Sequence, residues 1–128
     1  MGTEHRRPVD GPLVVLDVEY VRRTFVLVLH NAGHEVAFRP RVRFSQELVG
    51  VAGRAVVSDL PLWATLTLLA PGRRIEVLLD AANLVLSRGE ESTRFTASVS
   101  YTDADGNDFL HTYDHDLTAY RGLPQLEP

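Results

Sequence analysis

Phe95, Ala97, Val99 and Tyr101 alternate strictly with Thr96, Ser98 and Ser100, and the chain then enters Asp-Ala-Asp-Gly-Asn at 103–107. A period of two places successive side chains on opposite faces, so this stretch reads as a half-buried antiparallel strand entering a hairpin. The rest of the chain is written the same way, which makes the fold class all-β.

Leu13–Tyr20 alternates Val14, Leu16, Val18 and Tyr20 against Asp17 and Glu19. Thr24–His30 is apolar on both sides, as expected of a central strand covered on both faces. Asn31-Ala-Gly33 breaks it. Val36–Ser45 sets Phe38, Pro40, Val42 and Phe44 against Arg39, Arg41 and Arg43, and Pro40 inside the run demands an edge position or a bulge. Gln46–Asp59 is irregular and reads as a short helical turn or an edge strand. Pro61–Leu69 reads as a strand carrying Trp63, with Thr65 and Thr67 on the same side; Trp63 is read as core or as a sheet-end plug. Ala70-Pro-Gly72 is a turn. Arg74–Asp80 is a strand with Ile75, Val77 and Leu79 inward, Ala81–Ser92 suits either a strand or a helical turn, and Phe109–Tyr120 is the last strand.

Seven to eight short strands without a long helix predict a single antiparallel β-sandwich over residues 12–120, with a loose arm at 1–11 and a tail at 121–128. The length of 128 residues suits one domain able to bury a core without staples. Cysteine is absent, so disulfides and thiolate metal sites are excluded. The net charge of −4 argues against nucleic acid as the main partner, although all 13 basic residues are arginine. No run reaches the roughly 18 apolar residues of a membrane span, and the polar N-terminus carries no leader. The cytoplasm is therefore the default expectation, with an envelope-associated parent protein as the alternative.

Three groups of residues could carry chemistry. Asp103, Asp105, Asn107 and Asp108 gather hard oxygen donors in one turn, as calcium loops do. Their spacing departs from the EF-hand, with glycine at the fourth position, and equally describes a hairpin turn. His111, Tyr113 and His115 share one side of their strand, where histidines four residues apart stand about 13 Å apart and cannot chelate one ion without help from His30 or His34. The third group is a face. An immunoglobulin-like order places Val36–Ser45 beside Thr93–Tyr101, and that strand beside the last one. The row Arg39, Arg41 and Arg43 would then border Thr96, Ser98 and Ser100, with Asp114 and Asp116 beyond them. Such a trough suits an acidic peptide or a glycan; the same charges on a solvated sheet face discourage edge pairing. No Gly-x-Ser-x-Gly elbow and no glycine-rich phosphate loop is present.

The segments FVLVLHNAGHEVAFRPRVRF, LTLLAPGRRIEVLLD and SVSYTDADGNDF resemble, in their Asn-x-Gly turn, Leu-x-Pro-Gly turn and terminal hairpin, bacterial immunoglobulin-like accessory domains of the CARDB-like and NEW3-like groups. The resemblance implies an immunoglobulin-like sandwich with a non-catalytic adaptor or binding role and no catalytic residues or cofactor. The expected function is accordingly a protein-interaction module presenting a β-sheet face to a protein partner. Self-association through an edge strand, Leu13–Tyr20 or Gln46–Asp59, is a further expectation, and the alternative is cation or ligand binding at 103–108.

Overall fold

Most of the alternating segments become strands in the computed structural model, which describes residues 10–123. The chain runs β1 (Val14–Val21), β2 (Thr24–Asn31), β3 (Ala37–Phe44), β4 (Val49–Gly50), β5 (Ala55–Val56), α1 (Leu62–Thr65), β6 (Leu68–Leu69), β7 (Arg74–Ala81), α2 (Ala82–Leu86), α3 (Glu90–Thr93), β8 (Arg94–Thr102) and β9 (Asp108–Asp116). One sheet has the order β1-β2-β7, the second β6-β3-β8-β9, and β4 pairs with β5 as a separate hairpin. All pairings are antiparallel. The protein is thus an all-β antiparallel sandwich with seven strands in its two main sheets.

Sequence alternation decides which side of each sheet meets the core. Val14, Leu16 and Val18 of β1, Phe25, Leu27 and Leu29 of β2, and Phe95, Ala97, Val99 and Tyr101 of β8 are all buried in one cluster. Each fully buried aliphatic or aromatic side chain contributes about 1.5–3 kcal/mol. β2 is central, as its sequence implies, but among the described residues no third layer covers its outer face. Val28 is completely buried there, and the Arg74–Glu19 ion pair (2.9 Å) spans diagonally from β7 to β1 across its position in the register.

Pro40 does sit in a bulge. The β3–β8 register slips between Phe38 and Arg41, and Arg39 takes φ +50°. The slip corrects the expected alternation, because Phe38 lies opposite Thr102 and Leu68 on the outer side, while Pro40 is buried. Gln46–Asp59 folds as the β4–β5 hairpin followed by a 3-10 turn at Val57–Asp59. The expected strand around Trp63 is instead a single helical turn, α1. Its Trp63 is core, donating from Nε1 to the Val57 carbonyl (2.7 Å) and meeting Phe44 edge-on. The Ala70–Arg73 turn closes through Arg73 N to Ala70 O (3.0 Å) with Gly72 at φ +80°. Ala81–Ser92 resolves as helical turns, and the last strand stops at Asp116, where a 3-10 turn, Leu117–Tyr120, takes over.

Both open edges of the three-stranded sheet have internal partners. β4 docks on the free edge of β7, with Val51 N donating to Leu79 O (2.8 Å). Gly50 permits that approach, because a Cβ there would stand 2.0 Å from the Leu79 oxygen. The free edge of β1 is closed by side-chain tips from the other sheet. Tyr101 Oη reaches Pro12 O (3.4 Å), Tyr113 Oη donates to Val14 O (3.0 Å) and His115 Nε2 meets Leu16 O (2.9 Å). Both segments expected to offer edges for self-association are therefore engaged within the chain. Residues 1–9 of the expected arm and 124–128 of the expected tail lie outside the described residues. Among those described, no helix is long and apolar enough to cross a membrane.

Candidate functional site

The outer face of the four-stranded sheet is assembled by three neighbouring strands whose registers align their polar sides. Arg41 lies opposite Ser100, and Arg43 opposite Ser98. On the other flank of β8, Ser98 lies opposite Thr112, Ser100 opposite Leu110, Thr96 opposite Asp114, and Thr102 opposite Asp108. Alternation in β8 is what makes this face polar, since its apolar side chains all point into the core. The structure therefore brings the arginine row, the hydroxyl floor and the aspartates onto one face.

The members of that face differ in how they are held. Arg39 Nη2 donates to Thr102 Oγ1 (3.1 Å), a contact that the bulge makes possible. Arg41 Nη1 donates to the Pro40 and Leu66 carbonyls (2.9 and 2.8 Å), which ties β3 to the segment after α1. Arg43 is exposed and has no carboxylate within ion-pair distance among the described residues. Elsewhere arginines do have such partners: Arg74 with Glu19 and Glu76, Arg88 with Asp80, and Arg94 with Asp116. On the opposite flank, Asp114 accepts, among the described residues, only from Thr96 Oγ1 (2.7 Å), and Asp108 is exposed. Asp116 is committed differently. It caps the final 3-10 turn through the Thr118 hydroxyl and amide, and these bonds, with Arg94 nearby, hold its carboxyl below the ordinary range.

Two shallow hollows open on this face. One of about 450 Å³ is lined by Arg39, Arg41, Ser100, Thr102, Asp108 and Leu110 among others. The other, of about 590 Å³, lies between Arg41, Arg43, Ser98, Ser100, Leu110 and the α1 residues Trp63 and Ala64. Leu110, 67% exposed, borders both. Sequence reasoning did not single it out, although its place between Asp108 and Thr112 on the polar side of β9 is the signal that finds it.

The other two groups are absorbed by the fold. Asp103 is buried in its hairpin turn, where Oδ1 accepts from the Asp105 and Asn107 amides (3.0 and 2.9 Å) and Oδ2 from Asn107 Nδ2 (2.9 Å). These bonds organise an Asx turn, with Asp105 and Asp108 facing solvent. His111 and His115 turn inward, to Tyr101 Oη (2.9 Å) and to the Leu16 carbonyl. His30 stands on the outer face of the other sheet, opposite Val15 and Arg74, and the exposed His34 lies in the loop after it. No three His, Asp or Glu side chains converge among the described residues. Burial pushes the Tyr113 phenol up to about 12, with Tyr101 adding to the effect, so it stays protonated and able to donate.

Residues 3–121 match the family described as domain of unknown function DUF8453. The chain belongs to the DUF8453 family. The match spans both sheets and the whole face of this DUF8453 domain. Neither curated proteins nor solved structures yield a match.

Proposed function

We propose that this DUF8453 domain is an immunoglobulin-like, non-catalytic protein-interaction module that presents the outer face of β3, β8 and β9 to a protein partner. The order β1-β2-β7 against β6-β3-β8-β9 supports the architecture: it corresponds to immunoglobulin strands A-B-E against C-F-G, with the fourth strand transferred to the C-F-G sheet. The observation that carries the function is the row Arg39, Arg41 and Arg43, three guanidinium groups on one strand without a carboxylate partner among the described residues. A row of this kind is costly in self-repulsion and is relieved by a partner of complementary charge. The hydroxyl floor adds unhindered access, and Leu110 adds an exposed apolar contact among the polar side chains of β8 and β9. The titratable side chains most suited to catalysis, His111, Tyr113 and His115, are turned to internal hydrogen bonds, which favours binding over chemistry.

Affinity capture from the cells that encode the chain tests the reading. Arg39→Glu with Arg43→Glu is the informative variant, because Arg41 also secures the Leu66 carbonyl and its loss would disturb α1. Wild type and a control on the opposite sheet, Asp17→Lys, are expected to recover the same partner, and the double variant to lose it. Recovery of that partner by the double variant rejects this face as the docking site.

A further inference from the structure

The interaction face carries unpartnered charge of both signs, at opposite flanks. Arg39 and Arg43 on β3 have no carboxylate, and Asp108 and Asp114 on β9 have no cation, among the described residues. β8, with its small hydroxyl side chains, separates the rows, so the two strands stand about 10 Å apart. An acidic peptide would satisfy one row and repel the other. Resting on the face reading above, we infer that the partner is a second copy of this chain, docked face to face about a two-fold axis running along β8.

The geometry selects that axis. A rotation of 180° about the direction of β8 keeps position along the strands and exchanges the flanks, so β3 of each copy lies over β9 of the other. Arg39 shares its row with Thr102 and Asp108, and therefore meets the partner's Asp108. Arg41 meets the partner's Leu110, and Arg43 meets the partner's Thr112 with Asp114 one step away. The alternative in-plane axis, across the strands, stacks arginine on arginine and is repulsive. Ser98 and Ser100 lie on the chosen axis, where small side chains allow the close approach of about 10 Å that stacked sheets adopt. Leu110 enters the hollow beside Trp63 and Ala64 of the facing copy and supplies an apolar anchor on each side. Such an interface is isologous, each contact occurring twice. Three strands of eight or nine residues give a footprint of about 15 by 27–30 Å, the size of a weak and concentration-dependent contact.

Sedimentation equilibrium on the full chain tests this. At low salt the mass is expected to rise toward the dimer between about 10 µM and 1 mM, and to fall back in about 0.5 M salt as exposed charges are screened. Arg39→Glu/Arg43→Glu and Asp108→Arg/Asp114→Arg are each expected to remain monomeric. Mixed in equal amounts they are expected to recover a heterodimer, because each exchanged row then faces its complement; misfolded variants could not do this. A wild type that stays monomeric throughout overturns the second copy as partner, and the capture assay still decides the face reading. A dimer indifferent to both variants, or a mixture that stays monomeric, overturns the proposed docking.

Discussion

At Asn31 the side-chain oxygen accepts from the Leu13 and Gly33 amides, and the side-chain nitrogen donates to the Glu35 and Leu69 carbonyls. The residue is completely buried and closes the end where β1, β2 and β6 come together. Asparagine is the right side chain because it offers both an acceptor and a two-hydrogen donor. Asn31→Asp keeps the acceptor and replaces the donor with an oxygen aimed at two carbonyls. The expected loss is about 3 kcal/mol or more near pH 7, measured by urea unfolding. Such a carboxyl would be held protonated in the folded state, with its pKa above the unfolded value, so part of the loss should return as pH falls toward about 4. A variant as stable as wild type, or one that worsens on acidification relative to wild type, counts against this role. In the sequence Asn31 is legible only as a strand breaker. Its four partners lie up to 38 positions away, and no local pattern announces them.

Among the elements, β1 illustrates how an edge strand is closed without another strand. Tyr113 and His115, three and one residues before the end of β9, use their tips on the alternate carbonyls of Val14 and Leu16 in β1, and Tyr101 reaches the Pro12 carbonyl just before that strand. Tyr113→Phe preserves the ring and removes the hydrogen bond to Val14 O. It is expected to cost about 1 kcal/mol, with faster amide exchange confined to β1 and β2 while β8 stays protected. Uniform exchange across both sheets would show that the seam does not act locally. The strands were legible because a half-buried strand must alternate, as β8 does over its whole length. The order β3-β8-β9, and with it the candidate face, was legible only through the immunoglobulin-like order assumed for the strands, because alternation assigns a side and not a neighbour. The single helical turns were not. Leu62–Thr65 and Ala82–Leu86 are too short to display a 3.6-residue period, and their placement depends on tertiary contacts such as Trp63 with Val57 and Phe44. The outward position of Phe38 was hidden in the same way, by a bulge whose existence Pro40 announced but whose register it did not.

For the molecule as a whole, stability against acid rests on carboxylates that the fold keeps ionised. Asp80 ties the most distant segments together among those with a lowered pKa. It accepts from Arg88 (2.7 Å), from the Ala52 amide of the β4–β5 hairpin (3.1 Å) and from the Ala81 amide (2.9 Å), while Arg88 also donates to Val49 O (2.7 Å). β7, the hairpin that covers its edge, and the segment after α2 are thereby fastened at one point. Burial alone would push the Asp80 carboxyl up, but the hydrogen bonds from Arg88 and the two amides outweigh it and hold the group below its ordinary range. A folded pKa below the unfolded one means that the contribution is complete above about pH 4 and disappears as pH falls through the folded value. Asp116, held low by Thr118, acts with the same sign. Asp80→Asn keeps the shape and removes the charge. Near pH 7 it is expected to lower stability by about 1–2 kcal/mol, because Arg88 is partly exposed and screened. The gap to wild type should narrow as urea unfolding is repeated at pH values falling below the ordinary carboxylate range, as the wild-type carboxyl takes up its proton and the two proteins approach the same charge at this position. A gap that stays constant from neutral to acid pH would mean that Asp80 stabilises through shape alone, and that acid acts on the sandwich elsewhere.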